Sequence, residues 1–218
     1  TRISDLTFML NSLRLTGFFD GASPQSATLS GSELLLTDDL DSAPANLALE
    51  AIGRAYSFFL KQDLILYHDL EITGNGSAAF ILEGQISEYH KPTKLTKSGT
   101  SSLLIKSSPK HTGPTSIHEG EIILAENVTL SSEVIISEKA ILSGSGTLTN
   151  SLSGAGTISP GQGIGTLTIQ NASPKSLHLE IDGNQADHLV STGILDLSST
   201  NLSWSTQNLT EVVYPIIT

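Results

Sequence analysis

Hydrophobic residues recur mainly at every second position along this chain, in short runs separated by Ser, Thr, Asn and Gly. Such alternation predicts strands with one buried side, and the small polar residues between the runs predict turns. The segments 95–106, 117–128 and 131–142 have this form. We therefore predict an all-β protein. One window, 43–55, reads "APANLALEAIGRA" and predicts either a loop or a short helix at a corner.

The apolar positions also repeat over a longer distance. Leu104, Ile123 and Leu142 follow one another at intervals of 19 residues. A period near twenty, built from several short strands, is typical of a solenoid. Leucine-rich repeats are excluded because the Leu-x-x-Leu-x-Leu frame is missing, and helical repeats because the runs alternate. We predict one domain over 1–218, a right-handed parallel β-helix of roughly nine to eleven coils stacked about 4.8 Å apart.

The inward face of this β-helix follows from the alternation, because equivalent aliphatic positions of successive coils stack on one another. Replacing one of these residues by a charged one should be strongly destabilising. The residues predicted to point inward are Leu103, Ile105, Ile122, Leu124, Val134, Ile136, Leu148, Ile158, Leu167, Ile169, Leu179 and Ile181.

The segment 153–169, "SGAGTISPGQGIGTLTI", contains five glycines and could be taken for a phosphate-binding loop. A dinucleotide fingerprint requires a helix after the glycines, and a P-loop requires Gly-Lys-Ser/Thr. The segment instead continues as the alternating "GTLTIQ", and the chain has no such triplet. We therefore expect these glycines to turn corners, where a positive φ or a small side chain is needed. Pro160 should lie at a turn, since it has no backbone donor.

Residues 95–124 resemble the passenger-associated transport repeat of bacterial autotransporters. Three positions depart from that pattern, with Ser101 in place of a second glycine, His111 in place of the usual tyrosine and Pro114 in place of glycine. The residues that match it are Lys97, Gly99, Leu103, Ile105, Thr112, Gly113, Thr115, Ile117, Gly120, Ile122 and Leu124.

The resemblance covers 70–218 well and 1–69 loosely, so we divide the chain into N-terminal coils 1–69, repeat-bearing coils 70–150 and C-terminal coils 151–218. It implies a passenger segment of a surface-exposed or secreted protein at the outer membrane of a Gram-negative bacterium, and we predict that this segment is non-enzymatic. Such a segment would serve as a stalk or adhesion scaffold in virulence, with host or bacterial surface molecules as partners. A β-helical carbohydrate-active enzyme or tailspike-like fragment is one alternative, and a self-associating surface protein is another.

The amino-acid composition excludes several classes of partner and of site. The formal net charge is −11, with 15% charged residues, so nucleic-acid phosphates and anionic lipid would be repelled. Cysteine is absent, which excludes disulfides and thiolate metal sites. No apolar run is long enough for a membrane helix, and the first residues lack the layout of a signal peptide. Because the sequence begins and ends with strand-like segments, we expect it to be part of a longer protein. We expect no direct membrane insertion by this segment.

Candidate metal ligands are scattered. His111 and His118 lie seven positions apart across a predicted corner, where we interpret them as exposed turn residues rather than a zinc pair. The acidic groups 37–41 and 182–187 supply hard oxygen ligands of the kind Ca²⁺ prefers, but neither matches a known calcium loop. We interpret Asp38, Asp39, Asp41, Asp182 and Asp187 as solvated turn residues. The sequence thus predicts no metal site and no cofactor.

Catalysis in a β-helix requires carboxylates that converge on one face. The pairs one coil apart are Lys106 with Glu126 and Glu119 with Glu138. Charges at this spacing are expected on any exposed face, and no Gly-x-Ser-x-Gly elbow is present. We therefore predict no catalytic or cofactor-binding residue. Trp204 is expected to be half-buried on a strand.

The ends of a solenoid expose unpaired backbone groups that can template association. Apolar residues at both ends add to this tendency, and Pro215 partly protects the second end: Leu6, Phe8 and Leu10 lie at one end, and Val212, Val213, Tyr214, Ile216 and Ile217 at the other. We predict either end-to-end association or an end covered by a folded-back segment, for which 38–56 is the best candidate.

Overall fold

The computed structural model describes residues 8–19, 21, 23–38, 43–209 and 215–218. The chain is all-β over these residues, and its strands stack in parallel as a β-solenoid of about nine turns. The predicted parallel β-helix is confirmed. No helix that could cross a membrane occurs in this part of the chain.

The strands are short because each coil turns several corners. They are β1 (Phe8–Leu10), β2 (Ser12–Leu15), β3 (Gln25–Leu29), β4 (Leu34–Leu36), β5 (Ala45–Leu49), β6 (Tyr56–Leu60), β7 (Leu64–Leu66), β8 (Leu70–Thr73), β9 (Ala79–Leu82), β10 (Ile86–Glu88), β11 (Leu95–Lys97), β12 (Ser102–Ile105), β13 (Thr115–Leu124), β14 (Thr129–Leu130), β15 (Val134–Gly144), β16 (Thr147–Gly154), β17 (Thr157–Pro160), β18 (Thr166–Ala172), β19 (Ser176–Asp182), β20 (Gln185–Ala186), β21 (His188–Ser191) and β22 (Asn201–Gln207).

Three faces result from the pairing of strands in successive coils. Face A contains β2, β5, β8 and β11, then the first parts of β13 and β15, and then the second part of β16. Face B contains β3, β6, β9 and β12, then the second parts of β13 and β15, and finally β17, β19 and β22. Face C begins with β1, β4, β7 and β10, and β14, β16, β18 and β21 form its later part.

In-register pairing places equivalent side chains in continuous inward rows, which form the core. A fully buried Leu or Ile contributes about 1.5–3 kcal/mol relative to an exposed one. All the residues predicted to point inward are buried except Ile181, which is partly exposed because it lies near the end of β19. One row of face A consists of Ala45, Leu70, Leu95, Thr115, Val134 and Leu152, and one of face B of Phe58, Phe80, Leu103, Ile122, Leu142, Ile158 and Leu177.

Glycines turn corners as predicted. Gly154, Gly161 and Gly163 have φ of 114°, 81° and 87°, a region that disfavours residues with a Cβ. A Cβ on Gly154 would also collide with the backbone of Ile136 in the preceding coil. Pro160 is the last residue of β17, where the ladder ends.

Three predictions about local structure were wrong. The window 43–55 contains no helix, and its first half is a strand rather than a loop, because Ala45, Leu47 and Leu49 alternate inward as β5 and join the core rows. Residues 50–55 form the connection from β5 to β6. For the same reason the described part of 38–56 does not fold over an end. Trp204 is 62% exposed, because β22 is the last strand of face B and no described strand lies beyond it. Leu6 and residues 212–214 lie outside the described residues.

Candidate functional site

The outer side of face B carries an apolar row, which distinguishes it from an ordinary solvated sheet. Phe59, Ile81, Leu104 and Ile123 occupy successive outward positions of the register. Ile81 and Ile123 are only 9% and 7% exposed, although they point away from the core. The corresponding strands read as nearly continuous apolar runs, which is typical of strands covered on both sides.

A groove of about 630 Å³ runs along this row and is the candidate functional site. Its floor includes Ile81, Leu104 and Ile123. A volume of this size and a mixed lining are typical of clefts that bind small molecules. The polar residues that line it are Arg54, Asn75, Ser77, Thr100, Ser102, Glu121 and Gln162.

The Gly-rich hook, residues 161–165, accounts for one wall of the groove. Gly161 exchanges two backbone hydrogen bonds of 2.8 Å with Gly144, so the chain reverses there instead of continuing the parallel ladder. Gln162 then reaches the groove, and Ile164 lines an adjoining recess together with Leu104 and Ile123. The glycines identified in the sequence therefore shape the outer surface as well as the corners.

Glu121 is the acidic group of the groove. Ser102 Oγ donates to its Oε2 over 3.1 Å, and Ser143 Oγ donates to its Oε1 over 2.6 Å. Ser102 faces Glu121 across the β12–β13 pairing, so the register itself sets this contact. Among the described residues that line the groove, Glu121 is the only carboxylate. The described lining of the groove therefore does not supply the pair of carboxylates that most glycoside hydrolases use.

The structure does not bring together the two charged pairs that were considered as catalytic candidates and rejected. Lys106 bonds Glu83 of the preceding coil over 3.3 Å rather than Glu126, and Lys61 contacts the same carboxylate. Desolvation raises the pKa of Glu83, but the hydrogen bonds and charges of the two lysines outweigh it and lower that pKa overall. Glu119 pairs in register with Lys139 instead of Glu138, because the register shifts between Ile117 and Glu119.

The interpretation of His111 as an exposed turn residue was wrong. Its side chain is buried, and Nε2 lies 2.8 Å from Thr115 Oγ1, which in turn lies 2.7 Å from Ser132 Oγ. Desolvation lowers the pKa of His111, and the charge of Glu88 opposes this effect. The signal in the sequence was Thr115, a polar residue at an inward position. His118 is exposed, as expected.

Asp187 was also misinterpreted as a solvated turn residue. It is fully buried, and its carboxylate accepts hydrogen bonds from Gly165 N over 2.9 Å and from Glu180 N over 2.7 Å. Desolvation raises its pKa, and the two amide hydrogen bonds oppose this shift. Asp187 thus fastens the end of the hook to β19.

Sequence reasoning missed the role of Lys97, although the residue belongs to the motif. Lys97 lies in the inward row between Ile72 and Ile117, and it is fully buried. Its Nζ donates to Ser98 O, Gly99 O and Glu119 O over 3.0, 2.7 and 3.4 Å. Desolvation lowers its pKa to about 8, against the opposing charge of Glu119. The sequence contained an indication of this burial, because Lys97 lies two positions after the inward Leu95 and therefore on the same side of the strand.

Within the described ranges, no three His, Asp or Glu side chains are placed to hold an ion. Asp39 and Asp41 lie outside those ranges. Asp182 is exposed, and Oδ1 accepts a hydrogen bond from Asn208.

The chain was compared with protein-family models, with curated proteins and with solved structures, and none of them matched. The resemblance to autotransporter passengers therefore rests on the motif residues alone, whereas the parallel solenoid is a property of the structure.

Proposed function

We propose that the chain is a non-enzymatic scaffold, a β-solenoid segment of a bacterial surface or secreted protein that acts as a stalk or adhesion surface. The observation that carries this proposal is the use of the polar side chains. Glu121 is held by serine hydroxyl groups, Glu83 by two lysines and Asp187 by backbone amides. Each of these carboxylates is therefore engaged in contacts that stabilise the stacked coils.

The apolar row and the groove give such a scaffold a surface for contact with a partner. The outward residues Phe59, Ile81, Leu104 and Ile123 lie on four successive coils, about 4.8 Å apart from one coil to the next. Host or bacterial surface molecules are the partners that we propose for this side. The motif resemblance supports the same assignment.

Removing one whole coil tests the scaffold role. Thr115 and Val134 are partners in register, so deletion of residues 115–133 joins Pro114 to Val134 and leaves equivalent strands to pair. A scaffold should fold after this deletion and become shorter by about 4.8 Å, which small-angle scattering and circular dichroism can measure. A deletion of ten residues, 115–124, is the control, because it puts strands out of register and should abolish folding.

An enzyme would behave differently. We expect purified protein to release no reducing sugar from a panel of polysaccharides above the level of heat-denatured protein. Release of reducing sugar by the unaltered protein that is lost in Glu121→Gln would overturn the scaffold proposal. Failure of the chain lacking residues 115–133 to fold would also overturn it.

A further inference from the structure

Two tyrosines occupy equivalent positions on neighbouring coils at the corner between face C and face A. Tyr67 follows β7 and Tyr89 follows β10, and their backbone amides donate to Leu36 O and Leu66 O of the preceding coils over 2.8 and 3.0 Å. The in-register backbone brings the rings together, with centroids 4.2 Å apart and planes inclined by 25°. The pair is therefore fixed by the solenoid.

His90 adds a third ring to this pair. We call the three residues Tyr67, Tyr89 and His90 the aromatic corner. The His90 ring centroid lies 3.6 Å from that of Tyr89. Tyr89 is 48% exposed and His90 is exposed as well. Aromatics make up only 5% of the chain, so a stacked cluster left half in water is unusual for its surface. Tyrosine combines an apolar face with a polar hydroxyl group, which suits contact with amphipathic ligands.

A polar recess of about 310 Å³ is lined by Pro44, His68, Asp69 and Lys91. His68 and Lys91 directly follow Tyr67 and His90 in the chain, which ties the recess to the aromatic corner. Lys91 Nζ lies 3.4 Å from His68 Nδ1, and His68 Nε2 lies 3.1 Å from Asp38 Oδ1. An ammonium group only donates, so Nδ1 accepts and Nε2–H donates to Asp38. Asp69 Oδ1 accepts from Lys94 N over 2.9 Å, which leaves the second oxygen of Asp69 for a ligand.

These features together match the chemistry of a sugar. A pyranose ring has an apolar C–H side that packs on aromatic rings, and hydroxyl groups that both donate and accept hydrogen bonds. We propose that the aromatic corner and its recess bind a neutral oligosaccharide, with a sugar ring against Tyr89 and its hydroxyl groups bonded to Asp69 and Lys91. This site lies at a different corner from the face B groove, and the proposal does not depend on the scaffold role.

Charge favours a neutral sugar over an acidic one. The carboxylate of Asp69 and the ammonium group of Lys91 line the recess, and the carboxylate of Asp38 contacts His68, another lining residue. The formal net charge of the chain is also −11. An anionic sugar would be repelled by this field, whereas hydroxyl groups can pair with both the carboxylate and the ammonium group.

Titration of the ¹⁵N-labelled chain tests the proposal. The probes are cellotetraose, mannotetraose, chitotetraose and lacto-N-tetraose, with 3′-sialyllactose as the anionic comparison, each up to about 10 mM. We expect at least one neutral probe to shift the amide signals around Tyr89 and Asp69, with a Kd of about 1 mM, and the anionic one to bind more weakly. No shift with any neutral probe would overturn the proposal.

Variants distinguish binding at this site from non-specific binding to exposed aromatic rings. Tyr89→Leu keeps apolar bulk but removes the aromatic face, and Lys91→Met removes the polar contact, so each should weaken binding at least about tenfold. Trp204→Ala removes an exposed aromatic ring on β22 and should leave binding unchanged. Thermal unfolding checks that each variant is folded. Unchanged binding by Tyr89→Leu, or an equal loss in Trp204→Ala, would contradict the proposed site.

Discussion

Lys97 shows how a charged side chain is accommodated in an aliphatic row. Burial of an ammonium group without compensation is costly, and here backbone carbonyls supply that compensation instead of a carboxylate. The acceptors belong to its own corner and to Glu119 of the next coil. Lys97 therefore joins two corners, and its ionisation is coupled to folding.

The stability of the protein should rise with pH because of Lys97. Its pKa is about 8 in the folded protein and 10.5 ordinarily, so the unfolded chain binds more protons between these values. The free energy of unfolding should therefore increase from pH 8 toward 10.5, by up to about 3 kcal/mol in total. Denaturant unfolding between pH 7.5 and 9.5 measures this slope before the tyrosines titrate. Lys97→Met should abolish the slope and Lys94→Met should retain it; identical slopes would show that Lys97 is not responsible.

Asp187 makes a second residue-level prediction. Asp187→Ala leaves the amides of Gly165 and Glu180 without their acceptor in a buried place. We expect a loss of about 1–3 kcal/mol in the free energy of unfolding. Asp182→Ala is the matched control, since Asp182 is exposed, and it should change stability by less than about 0.5 kcal/mol. Equal effects in the two variants would refute the fastening role.

At the scale of elements, alternation was enough to predict strands, but it did not define their surroundings. In 43–55, Ala and Glu favour a helix by propensity, yet the register with β8 made Ala45–Leu49 a strand. The hook was not predictable, because the direction in which a glycine turn leaves the ladder depends on contacts with other coils. Asp187 and His111 were misread for a related reason, since burial of a turn residue depends on its stacked neighbours.

Substitutions at two glycines of the hook distinguish the cost of an unfavourable backbone conformation from the cost of steric crowding. Gly161 and Gly163 both have positive φ, but a Cβ on Gly161 would lie 2.7 Å from Gly165 N, whereas one on Gly163 would meet nothing within 4 Å. Gly163→Ala should cost about 1 kcal/mol from conformation alone. Gly161→Ala should cost at least about 2 kcal/mol more, because atoms must also move. Chemical denaturation measures both; equal losses would contradict the proposed crowding.

The inward rows lead to a prediction about a single strand position. Leu124 is fully buried in β13, between Ile105 and Gly144 of the neighbouring coils. Leu124→Asp should lower the free energy of unfolding by at least about 3 kcal/mol, because the carboxylate has no partner there. Ile141→Asp places the same charge on a residue that is 37% exposed and should cost far less. Similar melting of the two variants would show that the inward face is misassigned.

For the whole molecule, the period near twenty predicted the stacking of coils, although individual coils vary in length. The coil from Leu34 to its register partner Leu64 contains more residues than the coil from Thr115 to its partner Val134. This variation explains why the groove was not predicted: it depends on which outward residues stack, and that requires the register. The aromatic corner could have been found, because Tyr-His occurs at 67–68 and again at 89–90.

The parallel register also determines how the molecule should respond to force. Backbone hydrogen bonds between coils run along the solenoid axis, so tension applied along this axis loads the bonds of one coil at a time. Pulling from opposite ends should detach coils in succession, with steps of about 20 residues or roughly 70 Å of extended chain. Optical-tweezer traces should show such a series of small extensions at low force. A single rupture of the entire rod would mean that the coils are mechanically coupled far beyond their nearest neighbours.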